Sequence, residues 1–141
     1  MDDKKLKLLI KQAEADYNRA RQELSRPSTD VVRYSACSFA RRSLHQYMMI
    51  LYTYYKQQNS EQLKEGLTLD DLVQYVSEYD KDVNEINFSK VQCSCTDVLN
   101  ESEDEIIYCE DIDRVEHCTN LAEKLNHKIN DTSIIAIDKP R

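Results

Sequence analysis

Residues 36–55, Ala36-Cys-Ser-Phe-Ala-Arg-Arg-Ser-Leu-His-Gln-Tyr-Met-Met-Ile-Leu-Tyr-Thr-Tyr-Tyr55, decide the fold of this chain. Apolar side chains recur there at steps of three and four residues, the spacing of one face of an α-helix. One row consists of Ala36, Ala40, Leu44, Tyr47, Leu51 and Tyr54 or Tyr55, and a second row beside it consists of Phe39, Met48 and Tyr52. A helix that is apolar around so much of its circumference lies at the centre of a bundle or has a face that a partner covers. We therefore predict a dimer face that includes Met48, Tyr52 and Tyr55.

Three further stretches have the same periodicity and predict three more helices. The first row is Leu6, Ile10, Ala13, Tyr17, Ala20 and Leu24. The later rows are Leu69, Leu72 or Val73, Val76, Tyr79, Val83 and Ile86, and then Ile112, Val115, Cys118 or Thr119, Ala122, Leu125 and Ile129. Thr68 precedes Asp70 and Asp71, a pattern typical of a helix N-cap. The four predicted helices are 5–25, 30–57, 69–91 and 110–129.

These helices predict an all-α fold, an antiparallel up-and-down bundle of four or five helices. One glycine and two prolines in 141 residues leave the helices nearly free of breaks. We predict one helical-bundle domain over residues 1–130, followed by a C-terminal tail or arm over 131–141. The polar run from Gln92 to Asp104 contains no helical row, so we predict a long loop there.

The distribution of charge and apolar residues excludes several classes of protein. No apolar run approaches the roughly 18 residues of a membrane span, and we expect a cytoplasmic protein. Residues 1–59 carry a net charge of +5, whereas residues 60–141 carry −12, with acids concentrated in the loop 97–111. A chain of net charge −7 is a poor nonspecific binder of nucleic acid, because phosphate contacts supply most of that affinity. We interpret the two halves as complementary parts of one bundle, with the remaining charge as solvated surface. The alternative is a basic face on the first two helices beside the acidic loop.

The cysteine spacing gives little support to a metal site. Cys93 and Cys95 would need Cys109 and either His117 or Cys118 to complete four zinc ligands. Structural zinc modules use Cys-x2–4-Cys pairs, and this spacing differs from them. Cys118 also lies on the apolar row of its helix, where a free cysteine acts as a small hydrophobe. We predict no metal and no cofactor.

Candidate binding residues lie on the second helix. Arg41 and His45 share a face because they are four residues apart, and Arg42 is adjacent, so the three form a candidate site for an anion or for phosphoester chemistry. Tyr47 and Tyr54 are candidates for stacking on a base, although core packing is the commoner role of such tyrosines. The candidate ligand residues are thus Arg41, His45, Tyr47 and Tyr54.

Several segments resemble the HEPN domains, the higher eukaryote and prokaryote nucleotide-binding family. The similar segments are Ala15-Asp-Tyr17, residues 32–47, Leu69-Asp-Asp-Leu-Val-Gln-Tyr-Val76, Tyr108-Cys-Glu-Asp-Ile-Asp-Arg-Val115 and Ala122-Glu-Lys-Leu125. The resemblance covers about residues 5–130 and implies an antiparallel helical bundle, usually a homodimer. It also implies RNA or nucleotide binding, often in toxin–antitoxin or defence systems, and a protein partner such as a nucleotidyltransferase.

One motif of that family is missing. Its RNA-cleaving members carry Arg-x4–6-His, but Arg41 and His45 have three residues between them, and Arg114 and His117 have two. No catalytic residue is therefore transferred from the family. The leading hypothesis is a non-catalytic, dimeric binding or regulatory module. The alternatives are an atypical ribonuclease that uses Arg41, Arg42 and His45, and a nucleotide-binding module.

Overall fold

The computed structural model describes residues 3–27, 33–86 and 112–131, and every regular element in these ranges is an α-helix. The elements are α1 (Asp3–Leu24), α2 (Arg33–Gln58), α3 (Leu69–Ser77), α4 (Lys81–Asn84) and α5 (Ile112–Asp131). The all-α prediction is confirmed, and the bounds of α1, α2 and α5 agree with the predicted helices to within three residues. None of these helices is both long and apolar enough to cross a membrane.

Helix α2 is central, as its two apolar rows predict. It packs against α1, α5 and α3, and α1 also contacts α5. Most of both rows is buried, whereas Phe39, Tyr54 and Tyr55 are half-buried. The core of the described residues combines α2 side chains with one row from each surrounding helix: Leu6, Ala13, Ala20, Leu44, Tyr47, Met48, Leu51, Tyr52, Leu72, Val76, Val115, Ala122, Leu125 and Ile129.

The prediction of one continuous helix from residue 69 is wrong, because α3 ends at Ser77 and the short α4 follows; the last part of the predicted helix, 87–91, lies outside the described residues. Thr68 caps α3 as expected: its hydroxyl accepts from the Asp71 backbone N–H, and the Asp71 carboxylate accepts from the Thr68 N–H. Asp80 then caps α4 in an extended conformation, with its carboxylate accepting from the backbone N–H of Val83. The apolar row continues through Val83 because the new helix resumes on the same side of the core.

The predicted up-and-down order does not extend to α3. Helices α1 and α2 are antiparallel, since Arg19 near the end of α1 meets Phe39 near the start of α2, while the earlier Gln12 shares a cleft with the later Gln46. Segment 67–79 instead runs parallel to α2. Along it, Leu67 meets His45, Tyr75 meets Tyr52, and Tyr79 meets Tyr55. Residues 59–68 thus run back along α2 before α3 begins, and α3 has the same sense as α2.

Candidate functional site

The two predicted arginines lie in different environments. Arg41 is buried, with 4 % of its surface exposed. Arg42 is exposed, and its guanidinium carbon lies 5.6 Å from the centre of the Phe39 ring, towards α1. This is a cation–π interaction, in which a guanidinium is attracted to the negative face of an aromatic ring. Of the pair, Arg42 alone is placed to meet a ligand at the surface.

His45 points towards the segment that precedes α3. Its Nε2 lies 3.2 Å from the backbone carbonyl oxygen of Leu67, an acceptor, so the ring nitrogen donates. Burial lowers the pKa of His45, and the hydrogen bond to Leu67 opposes that shift without cancelling it. Burial thus favours the neutral form of His45, and its Nε2 proton is engaged with Leu67. It faces the segment before α3 while Arg42 faces α1, so the structure does not bring His45 and Arg42 together.

The two candidate stacking tyrosines also differ in burial. Tyr47 has no exposed surface, and its hydroxyl has no hydrogen-bond partner within the described ranges. Burial is also the main reason why its pKa is raised. Tyr54 is half-buried and meets Tyr55 edge to face, with ring centres 5.1 Å apart. Tyr47 is a core residue, which corrects its assignment as a nucleotide-stacking side chain.

The predicted dimer face is also corrected. Met48 has no exposed surface and Tyr52 has 2 %, both covered by elements of their own chain. Tyr55 is half-buried, and its hydroxyl donates to Asp80 Oδ2 at 2.8 Å. Met48 and Tyr52 are thus covered by their own chain, and of the three predicted residues Tyr55 alone keeps appreciable exposed surface.

The structure forms a different candidate site between α2, the 59–68 segment and α3. It is a cleft of 350 Å³, which we call the Lys56 cleft, and it is lined by Tyr52, Lys56, Lys64, Leu67, Asp71, Gln74, Tyr75 and Glu78. Cavities of a few hundred Å³ are the size of sites for small molecules. Of the residues predicted for a ligand site or a dimer face, Tyr52 alone, predicted for the dimer face, lines this cleft.

Lys56 is the unusual side chain of this cleft. It has 8 % of its surface exposed, although lysine is rarely buried so deeply without an anionic partner. Its Nζ lies 4.5 Å from the ring centre of Tyr75 and 5.6 Å from that of Tyr52. No acceptor in the described part of the chain hydrogen-bonds to this ammonium group. Two tyrosine rings therefore hold a cation whose three N–H donors remain available in the cleft.

Hydrogen bonds fix both tyrosine walls. The Tyr75 hydroxyl donates to Glu61 Oε1 at 2.6 Å and accepts from Asn59 Nδ2 at 3.3 Å. Burial and the bond to Glu61 raise the pKa of Tyr75 to about 12, so the phenol is neutral at physiological pH. The Tyr52 hydroxyl accepts from the Lys64 backbone N–H at 3.0 Å. These three bonds tie the returning 59–68 segment to the aromatic walls and set the shape of the cleft.

Sequence reasoning missed Lys56, but one signal pointed to it. Lys56 is the single charged residue between Tyr47 and Gln58, and it lies four residues after Tyr52 on the same face. That spacing places a cation against an aromatic ring. The second ring beside Lys56, that of Tyr75, depends on the direction of α3, which helical periodicity does not encode.

The remaining chemical candidates lie mostly elsewhere. Cys93, Cys95, Cys109 and the acidic loop 97–111 lie outside the described residues, as does nearly all of the predicted tail 131–141. Cys118 is buried on the core side of α5, as its place in the apolar row predicts. In the described ranges no three metal-binding side chains cluster.

Comparison with known proteins adds no relative to this picture. No known protein family, curated protein or solved structure matches the chain.

Proposed function

We propose that this chain is a non-catalytic, HEPN-like binding module that takes a nucleotide in the Lys56 cleft. The observation that carries the proposal is Lys56 itself, a cation that is more than nine-tenths buried, held by Tyr52 and Tyr75, and without a hydrogen-bond acceptor in the described chain. A buried donor of this kind gains most from an anionic acceptor, because charge-assisted hydrogen bonds are the stronger class. A phosphate group is such an acceptor.

The other walls of the cleft suit the rest of a nucleotide. Leu67 and Tyr75 are half-buried and provide apolar and aromatic surface, on which a base packs favourably. Lys64 offers a second cation at an exposed position, and Gln74 and Asp71 offer polar groups for a sugar or a base edge. The proposal keeps the nucleotide ligand that the resemblance implies, but moves it from Arg41, Tyr47 and Tyr54 to this cleft.

An atypical ribonuclease receives less support from the same geometry. Cleavage needs a histidine that transfers a proton and a cation that contacts the phosphate at the same place. Arg41 is buried, the Nε2 proton of His45 is engaged with Leu67, and Arg42 faces α1. A homodimer and a protein partner such as a nucleotidyltransferase stay predictions of the resemblance, and light scattering and copurification from the native host are their tests.

Isothermal titration calorimetry on the full chain tests the nucleotide proposal. We expect AMP to bind, and we expect adenosine, which lacks the phosphate, to bind at least about tenfold more weakly. Lys56→Met keeps the length of the side chain and removes its charge, so AMP affinity falls by at least about tenfold while adenosine binding is unchanged. Lys11→Met, at an exposed position on α1, is the matched control and leaves both affinities intact.

Two outcomes would refute the proposal. One is the absence of AMP binding at millimolar concentration by the wild-type chain. The other is equal AMP affinity in wild type and Lys56→Met, which would place the ligand elsewhere. Thermal unfolding of both lysine variants checks that the bundle is intact.

A further inference from the structure

A second cleft, of 380 Å³, lies between α1 and α2, away from the Lys56 cleft. We call it the Arg42 cleft, and it is lined by Gln12, Ala15, Asp16, Arg19, Arg42 and Gln46. Its lining is almost entirely polar and contains charges of both signs. That composition differs from the apolar lining of most small-molecule pockets, and it points to a ligand that is recognised by its charges.

The most buried polar side chain of the Arg42 cleft is a carboxylate. Asp16 has 6 % of its surface exposed. Its one partner among the described residues is Arg19, whose Nη1 lies 3.6 Å from Asp16 Oδ1, longer than a hydrogen bond. An ionised carboxylate accepts about four hydrogen bonds, so this group keeps unused acceptor capacity beside its ion pair with Arg19. A cationic donor from a ligand would use that capacity.

Two guanidinium groups lie at the more exposed side of the same cleft. The guanidinium carbons of Arg19 and Arg42 each lie 5.6 Å from the centre of the Phe39 ring. The ring thus holds two like charges close together. Arg42 makes no ion pair with any carboxylate in the part of the chain that the structure describes. It is placed to accept a carboxylate through the paired N–H groups of its planar fork.

We propose that the Arg42 cleft binds a free α-amino acid, with the ammonium group on Asp16 and the carboxylate on Arg42. A phosphate would engage the arginines but would face the buried charge of Asp16. A polyamine would engage Asp16 but would meet two guanidinium groups. A zwitterion satisfies both, and the amides of Gln12 and Gln46 provide neutral polar contacts for its side chain. The inference does not rest on nucleotide binding, which concerns other residues.

The first test uses the wild-type chain, labelled with ¹⁵N, and L-glutamine as the probe. We expect saturable shifts in the Nε–H signal of Arg42 and the side-chain amide signal of Gln46, with a Kd below about 1 mM. N-acetyl-L-glutamine lacks the ammonium group, and L-glutaminamide lacks the carboxylate. Each analogue is expected to bind at least about tenfold more weakly.

The second test changes the protein. Asp16→Asn preserves the shape of the side chain and removes its charge, so L-glutamine affinity falls by at least about tenfold. Glu65→Gln removes an equivalent charge at an exposed position of the linker and leaves affinity unchanged. Thermal unfolding confirms that both variants fold, and if Asp16→Asn does not, the wild-type analogue series decides alone.

Three results would overturn the proposal. The first is no saturable shift with L-glutamine up to about 10 mM. The second is equal binding of either analogue, which would mean that one of the two charges is not recognised. The third is inorganic phosphate producing the same shifts with comparable affinity, which would make the cleft a simple anion site. Because the two clefts share no lining residue, binding of a nucleotide in the Lys56 cleft has no bearing on any of these three results.

Discussion

Lys128 on α5 lies with its Nζ 3.1 Å from Oδ1 of Asp80, the residue that caps α4. The Asp80 side chain is 2 % exposed and the Lys128 side chain is 18 % exposed, so the pair is largely shielded from water. Asp80 also accepts a hydrogen bond from the Tyr55 hydroxyl on α2. One buried carboxylate therefore joins three helices, at the place where the predicted third helix is divided.

Removing the cation from this pair should destabilise the bundle. Lys128→Met leaves Asp80 buried without its counter-ion, and we expect the free energy of unfolding to fall by about 2 kcal/mol. Lys124→Met, at an exposed position of the same helix, serves as the control and should change it by less than about 0.5 kcal/mol. Urea denaturation at neutral pH measures both, and equal losses in the two variants would contradict the role of the pair.

The same pair makes a prediction at high pH. Burial acts to lower the pKa of Lys128, but hydrogen bonds to Asp82 and Asp80 outweigh it, and the pKa is raised overall. A raised folded-state pKa contributes stability that is complete below the unfolded value near about 10.4 and is lost as the pH rises through the folded value. Stability of the wild type should therefore fall more steeply above pH 10 than that of Lys128→Met.

Two tyrosine hydroxyls on α2 should have opposite effects on stability. The Tyr47 hydroxyl is buried without a partner among the described residues, so Tyr47→Phe should raise the free energy of unfolding by up to about 1 kcal/mol. The Tyr55 hydroxyl donates to Asp80, so Tyr55→Phe should lower it by about 1 kcal/mol or more. Urea denaturation distinguishes the two. A loss in Tyr47→Phe as large as that in Tyr55→Phe would mean that Tyr47 has a partner.

His45 should make stability depend on pH on the acid side. Burial lowers its pKa, so the neutral form is favoured in the folded state. The stability this contributes is complete above the unfolded value near about 6.5 and is lost as the pH falls through the lower folded value. His45→Gln keeps a donor for the Leu67 carbonyl and should reduce the loss of stability between about pH 7 and pH 5.

The control for that experiment is His127→Gln, on the exposed side of α5. This variant should lose nearly as much stability between about pH 7 and pH 5 as the wild type does. If both histidine variants change the pH dependence equally, the effect does not come from the burial of His45.

We expect no metal-independent ribonuclease activity above background. Arg42 and His45 face different neighbours, and Arg41 is buried, so the structure does not pair His45 with an exposed arginine of the candidate site. The assay compares wild type with His45→Ala on structured and single-stranded RNA, and both should show the same background rate. Cleavage by the wild type that disappears in the variant would favour the atypical ribonuclease instead.

Much of the fold is visible in the sequence because helical periodicity is a local property. The apolar row from Leu6 to Leu24 predicts α1, and the two rows of α2 predict its central position. The capping pair Thr68 and Asp71 places the start of α3 correctly, since each side chain bonds to the backbone of the other residue. The break at Asp80 was missed because Val83 continues the row on the far side of it.

The candidate site was less visible from the sequence. Arg42 is exposed as a binding residue requires, but Arg41 and Tyr47 are buried, and His45 is engaged with the backbone. Sequence spacing shows that two residues share a helix face, but it does not show which neighbour covers that face. Burial of apolar surface is non-directional, so an apolar row is satisfied equally by α3, by α5 or by a second chain.

The helices, their apolar faces and the cap at Thr68 thus follow from local sequence patterns alone. The tertiary structure alone decided that residues 59–68 run back along α2 and that α3 has the same sense as α2. That direction places Tyr75 over the ammonium group of Lys56 and closes one side of the Lys56 cleft. The physical reason is that local periodicity fixes the orientation of side chains about one helix axis, whereas a binding site depends on the relative positions of several axes.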